Sequence, residues 1–394
     1  MAASKHISGR APNPDPLKEP SPAGGWSEQV SRYDAAIVVP GSGQGLVQEA
    51  GVYTSDKDFI PEAVLWRGQP LMVPTNPVLD AKSYLGGRHI WGGVMLNHFG
   101  HYLTESLNRL WAYPDLASEV DGLVFVHKRN GELSDFNIEF LKLLGIDLPI
   151  TLIKEPTLIE HLIIPGQGFG LGAISYGTDR YNQFVCENFA PNIPANGPEK
   201  IYASRSQLPA RKGGAIGETL LEKLLEQDGY TIIHPQAHPL DEQIGFYKAA
   251  QKIIGLDGSA LHLAGFCIDA ATDVAMILRR SSGVALNIRN QLHGITGKQP
   301  AVINAIEYDW ILEGRGRADR FSIGQMDFPL LGQRLYEVGM LDTKPDWPAL
   351  TEDLVADEIE TLSDATKFTY ERRMTRARLQ TLRQERRAAR SEAQ

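Results

Sequence analysis

The chain has 394 residues, a formal net charge of −9 and two cysteines, Cys186 and Cys267. This length suits two domains rather than one core, and 42% hydrophobic with 22% charged residues is the profile of a globular protein. The acidic balance excludes general nucleic-acid binding as the main task. Two cysteines exclude a disulfide framework or zinc-ligand cluster, and no window approaches the roughly 18 apolar residues of a membrane span.

In chain order, residues 1–30 read as a disordered or loosely packed arm, polar and rich in Pro and Ser, without the apolar run of a secretory signal. The cysteines read as buried small apolar side chains in a reducing compartment, so the expected location is cytoplasmic. A first strand is expected at 34–39, then irregular strand and turn over 64–79. Residues 99–112 carry helical periodicity and stop before Pro114. A strand follows at 122–127, a helix at 135–144 closed by Gly145, and strands at 151–153 and 158–164. The Gly-, Asn- and Pro-rich stretch 166–196 reads as a crossover with a short helix at 180–189.

The second half alternates more plainly: strand 200–204, helix 216–227, strand 230–234, helix 240–250, strand 252–256, a helix from Ser259 and strand 273–278. Such alternation predicts a parallel, Rossmann-like sheet, with ligands beyond the carboxyl ends of its strands. The tail from about residue 366 is basic. From Glu371 onward it holds eight arginines against three glutamates. It reads as a solvated or isolated-disordered helix, with peripheral contact to an anionic membrane face as the alternative. The domain expectation is an arm at 1–30, an N-terminal lobe at 31–190, a C-terminal lobe at 191–330 and a helical extension with a basic tail at 331–394.

Three stretches carry chemistry. In "KIIGLDGSALHLAGF" a strand runs through a small-residue turn, Asp257 and Gly258, into a helix starting at Ser259. Free N–H groups and the helix dipole there favour an anion. An ordinary turn with Ser259 as N-cap gives the same pattern, and neither the dinucleotide nor the P-loop fingerprint is present. In "YASRSQLPARKGG" a strand delivers Arg205, with Arg211 following in the loop. Arginine forks suit phosphate, although exposed loop arginines are common. Glu218, in the next helix's first turn, suits either the helix dipole or ribose hydroxyls. In "HFGHYLTESLNRLW" a 100° helical projection puts His101, Glu105, Asn108 and Arg109 on one face and Leu103, Leu107, Leu110 and Trp111 opposite. Asn97, His98 and Gly100 crowd its start. Glu105 and Arg109 at i,i+4 are equally an ordinary ion pair. His98, His101 and Glu105 lack a strong metal-ligand spacing, so no metal or cofactor is expected.

Together these stretches resemble glycosyltransferase family 61, whose bacterial members include capsular polysaccharide biosynthesis proteins. The family's helix pattern G-H-x-L-x-E/D-x-L-P-R-L appears as Gly100-His101-Tyr102-Leu103-Thr104-Glu105-Ser106-Leu107-Asn108-Arg109-Leu110. Its Y-x-S-R loop appears as Tyr202-Ala203-Ser204-Arg205, with Arg211 and Glu218 matching a later basic residue and helix-initial Glu. Its G-A-H-G-A-G-L turn appears as Gly255-Leu256-Asp257-Gly258-Ser259-Ala260-Leu261. Asn108 stands in place of proline, Asp257 of histidine and Ala260 of glycine. Asp257 puts a carboxylate where a diphosphate would lie. Either it points away, the donor is held differently, or activity is altered.

The resemblance implies an α/β, GT-B-like architecture of two Rossmann-like lobes facing across a cleft. It also implies inverting, metal-independent transfer from a nucleotide-sugar donor to a glycan or other hydroxyl acceptor. Glu105 is then expected as base, with His101 orienting it or serving as the second candidate, since an imidazole titrates near neutrality. Arg205, Arg211 and the N–H groups at Gly258 and Ser259 would stabilise the leaving diphosphate. Glu218 would hold ribose and His262 would line the donor pocket. Arg109, Asn97 and His98 would complete the acceptor side. The alternative is a catalytically decayed nucleotide- or sugar-binding module of the same fold. A Rossmann dehydrogenase is disfavoured by the absent G-x-G-x-x-G.

Overall fold

The computed structural model describes residues 19–41, 45–128 and 131–392. The first 18 residues of the expected N-terminal arm lie outside this range. The chain divides into two compact units, Met1–Pro191 and Asn192–Gln394.

Unit 1 is built on a six-stranded sheet. Its strands are β1 (Val30–Val39), β2 (Gly51–Tyr53), β3 (Ser83–Met95), β4 (Gly122–His127), β5 (Ile150–Ile153) and β6 (Thr157–Pro165). They lie in the order β2-β1-β6-β3-β4-β5. The run from β6 to β5 is parallel, whereas β1 pairs antiparallel with both β2 and β6. The sheet is therefore mixed, and unit 1 departs from the parallel sheet expected of a Rossmann-like lobe. Strand β3 enters with alternating exposure and ends fully buried at the sheet centre. Gly92 is required there, because a Cβ would stand 2.2 Å from the Phe125 ring. Trp91, Val124, Val126, Ile159 and Leu162 form the core. Helix α1 (Asp135–Leu143) begins where Asn137 accepts from the Ser134 N–H at 3.0 Å, and it ends before left-handed Gly145. Helix α2 (Asp179–Asn188) is capped by Thr178. It carries Cys186, which is exposed rather than buried, and Cys267 is half-buried. Residues 19–29 pack in part, since the buried Ser27 Oγ accepts from the Ser21 N–H at 2.9 Å.

Unit 2 holds strands β7 (Lys200–Ala203), β8 (Gly214–Ala215), β9 (Thr231–Ile233), β10 (Lys252–Leu256), β11 (Asp273–Ile277) and β12 (Ala301–Ile303). Five of them form an all-parallel sheet in the order β9-β7-β10-β11-β12. Numbered along the chain, this is the 2-1-3-4-5 order of an open α/β sheet, whose switch point lies between its first and third strands. Helices α3 (Glu218–Gln227), α4 (Leu240–Ala249), α5 (Ser259–Cys267) and α6 (Val284–Thr296) form the connections. Strands β13 (Ile306–Leu312), β14 (Ile323–Met326) and β15 (Tyr370–Met374) complete a second sheet, β8-β14-β13-β15. Helices α7 (Phe328–Glu337), α8 (Glu352–Thr366) and α9 (Arg376–Glu392) finish the chain. The basic tail is thus a strand followed by a helix. Arg372 forms a two-pronged pair with Glu352 and lies 4.0 Å from the Tyr308 ring centroid, and Arg378 meets Glu307 at 3.0 Å. Among the described residues, no helix is long and apolar enough to cross a membrane.

Candidate functional site

In unit 1 the expected single helix over 99–112 is broken. One α-turn, Phe99–His101, opens into a π-turn, Tyr102–Ser106, and a 3-10 turn follows at Leu110–Ala112. A π-turn is a frequent device at functional positions. The polar stripe is not a solvent face, because Glu105, Asn108 and Arg109 are all buried. Arg109 donates to the carbonyls of Pro165 and Val64, so it ties three segments together. Burial pushes its guanidinium down to about 9. Asn97 and His98 are exposed at the start of the segment, and the His98 ring centroid stands 5.1 Å from that of His101.

Glu105 has no exposed surface, and both carboxylate oxygens are engaged. Arg67 reaches them in a fork, Nε to Oε1 at 2.7 Å and Nη2 to Oε2 at 2.6 Å. His101 Nδ1 lies 2.6 Å from Oε2. Burial raises the Glu105 carboxyl, but the His101 hydrogen bond and the Arg67 fork outweigh it, and the group titrates below its ordinary value. A carboxylate so held keeps its charge and fixes the His101 tautomer. With Nδ1 donating to Glu105, Nε2 is the nitrogen able to take a proton, on a side chain 40% exposed. Arg67 itself is positioned by Gln167, which clamps the Trp66 backbone from both sides, accepting at 2.9 Å and donating at 3.1 Å. Sequence reading missed Arg67 because its partner is 38 residues away in the chain.

In unit 2 the carboxyl ends of β7, β10 and β11 bring Arg205, Asp257 with Gly258, and Arg279 with Arg280 to one edge. The Arg205 backbone N–H donates to Glu218 Oε1 at 2.7 Å, and the Tyr202 hydroxyl donates to the same oxygen at 3.0 Å. Glu218 is thus committed to holding the strand end, and burial pushes its carboxyl up to about 6. Arg205 Nη2 donates to the Lys212 carbonyl at 3.0 Å, and a Cβ on Gly258 would stand 2.8 Å from Arg205 Nη1. Gly258 has φ 179, so glycine serves close approach there rather than a special backbone angle. It is also the N-cap of α5, with no side-chain cap. Ser259 is the first helical residue rather than the cap. The N–H groups of the first turn gain no partner from a capping side chain.

Asp257 does point into the protein. Only 1% exposed, its Oδ1 accepts from the Arg279 backbone N–H at 2.8 Å, and ion pairs reach Arg279 at 3.6 Å and Arg280 at 3.8 Å. Burial raises its carboxyl, with the two arginines opposing. Burial likewise lowers the Arg279 guanidinium, to about 9. The carboxylate expected to repel an anion is therefore already matched by two cations. Those arginines escaped sequence reading because they follow an unremarkable apolar strand. A cavity of about 440 Å³ opens beside this edge, lined by Arg205, Gly213, Glu218, Thr219 and, from α8, Asp357 and Glu358. Arg211 lies apart from its lining and donates to the Thr366 carbonyl at 2.9 Å, with Phe368 beneath its guanidinium. His262, on α5, is hydrogen-bonded to Gln291. No group of three or more His, Cys, Asp or Glu side chains suited to a metal occurs among the described residues.

Residues 99–274 match the family described as Glycosyltransferase 61. No curated protein matches the chain. Among solved structures, the chain is similar to the bacterial iron-containing dodecameric glycosyltransferase TibC from enterotoxigenic E. coli H10407, at 13% identity and a TM-score of 0.30. That alignment covers 90% of this chain and 99% of the other, too loose a superposition to establish a common fold.

Proposed function

Taking the chain as a glycosyltransferase with a family 61 domain at residues 99–274, we propose that it is an inverting, nucleotide-sugar-dependent enzyme without a resident metal. It acts on a hydroxyl of a glycan or surface-polysaccharide acceptor. A GT-B-like pairing of an acceptor lobe in unit 1 with a donor lobe in unit 2, and a cytoplasmic location, belong to the same reading. The observation that carries it is the edge where β7 and β10 end. A topological switch point, an arginine resting on a glycine turn and an uncapped helix start coincide there, and a cavity of about 440 Å³ adjoins the Arg205 side of that edge.

The base in this reading is His101, with Glu105 as the residue that orients it, the reverse of the order the sequence suggested. The acceptor oxygen forms a bond to the anomeric carbon as the bond from that carbon to the diphosphate oxygen breaks. The hydroxyl proton passes to His101 Nε2, and the diphosphate leaves with the bonding electron pair. Arg205 and the N–H groups at Gly258 and Ser259 stabilise the charge that develops on it.

The test is turnover of a nucleotide-sugar panel by the full chain, read as release of nucleoside diphosphate, alongside calorimetric binding. His101→Asn lowers kcat on the order of 100- to 10,000-fold and leaves donor affinity unchanged. Near-normal turnover in that variant removes His101 as base. Binding without sugar release selects the decayed binding module instead, and no nucleotide binding at all ends the transferase reading.

A further inference from the structure

The carboxyl edge of the unit 2 sheet carries more positive charge than Arg205 alone supplies. Arg279 and Arg280, the residues just beyond β11, are 6% and 7% exposed. Arg279 donates through Nε to the Asp257 carbonyl at 2.8 Å. Its Nη1 lies against the Arg205 loop, where a Cβ on Gly213 would stand 2.6 Å from it. Arg205 reaches the same place, with Nη2 3.5 Å from the Gly213 carbonyl oxygen. Two guanidinium groups therefore converge on Gly213.

Asp257 is the carboxylate within ion-pair reach of Arg279 and Arg280. Glu218 is a second carboxylate acting on Arg205 and Arg279, although its Oε1 is already engaged by the Arg205 N–H and the Tyr202 hydroxyl. Arg205 Nε, Arg279 Nη1, Arg280 Nε and Ser282 Oγ are buried and have no hydrogen-bond partner among the described residues. Buried charged donors are ordinarily matched by acceptors. A polyanion with several equivalent oxygens matches this set better than a single carboxylate does.

We propose that Arg279 and Arg280, positioned by Asp257, join Arg205 in a three-arginine subsite that binds the diphosphate of the donor and of the released nucleotide. The proposal rests on the transferase reading above and extends it to two residues beyond the family-matched segment, which ends at residue 274. It also gives Asp257 a purpose. In place of a group that repels the diphosphate, it is the tether that holds two further cations at the strand ends. Three cations against two carboxylates, Asp257 and Glu218, leave a surplus of the sign that a diphosphate neutralises.

The experiment is calorimetry on the full chain with uridine, cytidine, guanosine and adenosine and with their 5′-diphosphates. Wild type binds one diphosphate more tightly than its nucleoside, by a factor that falls as salt rises. Arg280→Met and Arg279→Met each reduce diphosphate affinity by about tenfold or more and leave nucleoside affinity unchanged. The nucleoside arm distinguishes a lost phosphate contact from a distorted fold. Arg280→Lys, which keeps charge without the planar fork, recovers part of the loss and carries the test where the Met variants do not fold. Wild-type diphosphate affinity in the Arg280 variants, or equal losses for nucleoside and diphosphate, overturns this subsite alone. A wild-type chain that binds neither overturns the subsite and the transferase reading together.

Discussion

The two units each bury a carboxylate among cations, and they do so in opposite ways. In unit 1, Glu105 meets Arg67 and His101 at 2.6–2.7 Å, and both its oxygens are satisfied. In unit 2, Asp257 faces Arg279 and Arg280 at 3.6–3.8 Å, and guanidinium nitrogens nearby lack partners. The first arrangement is complete in itself and suits a group that must present a fixed tautomer before the acceptor arrives. The second is short of negative charge and suits a site whose ligand brings it. The proposed base and the proposed anion cradle thus differ less in residue type than in whether the electrostatics close without the substrate.

The sharpest way to break the comparison is Asp257→Ala. It leaves Arg279 and Arg280 buried without their carboxylate, and removing one partner from a buried pair costs about 3–5 kcal/mol. Chemical denaturation of the purified chain reads this directly. Added nucleoside diphosphate should recover part of the loss, because it binds the folded state and supplies the missing charge. A loss under about 1 kcal/mol, the level of an ordinary substitution, would mean that Asp257 is not the charge holding these arginines.

Much of unit 2's framework was legible because short apolar strands alternate with helices bounded by Gly or Ser. β10 and α5 fall within a residue of their expected limits. β3 was not, since the glycine pairs in "GGRHIWGGVM" look like turns. They serve bulges and the close approach of Phe125 instead. The π-turn at Tyr102–Ser106 was invisible too, because its residues have ordinary helical periodicity and only tertiary packing widens the turn. β15 was hidden by its arginines, of which half-buried Arg372 lies over the ring of Tyr308 and pairs with the carboxylate of Glu352. In the candidate site, His101 and Glu105 were readable as neighbours on one helical face, whereas the i,i+4 ion pair read for Glu105 and Arg109 gives way to Arg67 on Glu105 and to the Pro165 and Val64 carbonyls on Arg109. Arg67, Arg279 and Arg280 were not readable, because long-range contacts leave no local pattern.

A second, smaller effect separates the units by pH. Glu105 binds its proton less tightly folded than unfolded. Its contribution to stability is present above the unfolded value near 4.5 and is lost as pH falls through its lower folded value. Glu218 runs the other way. Its carboxyl is raised from 4.5 to about 6, so the folded state keeps the proton longer and loses about 2 kcal/mol as pH rises through that window. Glu218→Gln, which retains the Oε1 acceptor, should therefore flatten the stability profile between pH 4.5 and 6, whereas Glu105→Gln should alter it only at lower pH. Denaturant midpoints across pH test the pair, and the same slope in both variants would contradict the contrast.

The smallest change asks whether the anion cradle depends on the fit of one side chain against the turn. Gly258 has extended backbone angles that alanine adopts without strain, so Gly258→Ala adds only a methyl group 2.8 Å from Arg205 Nη1. The guanidinium is the far end of a flexible side chain and can move aside, so the melting temperature should stay close to wild type. Its displacement, however, should lower nucleoside diphosphate affinity by about tenfold, the worth of one charge-assisted hydrogen bond. Calorimetry beside a thermal melt separates the two readouts. Unchanged affinity would show that the cradle tolerates a shifted Arg205, and the weight of anion binding would then fall on Arg279 and Arg280.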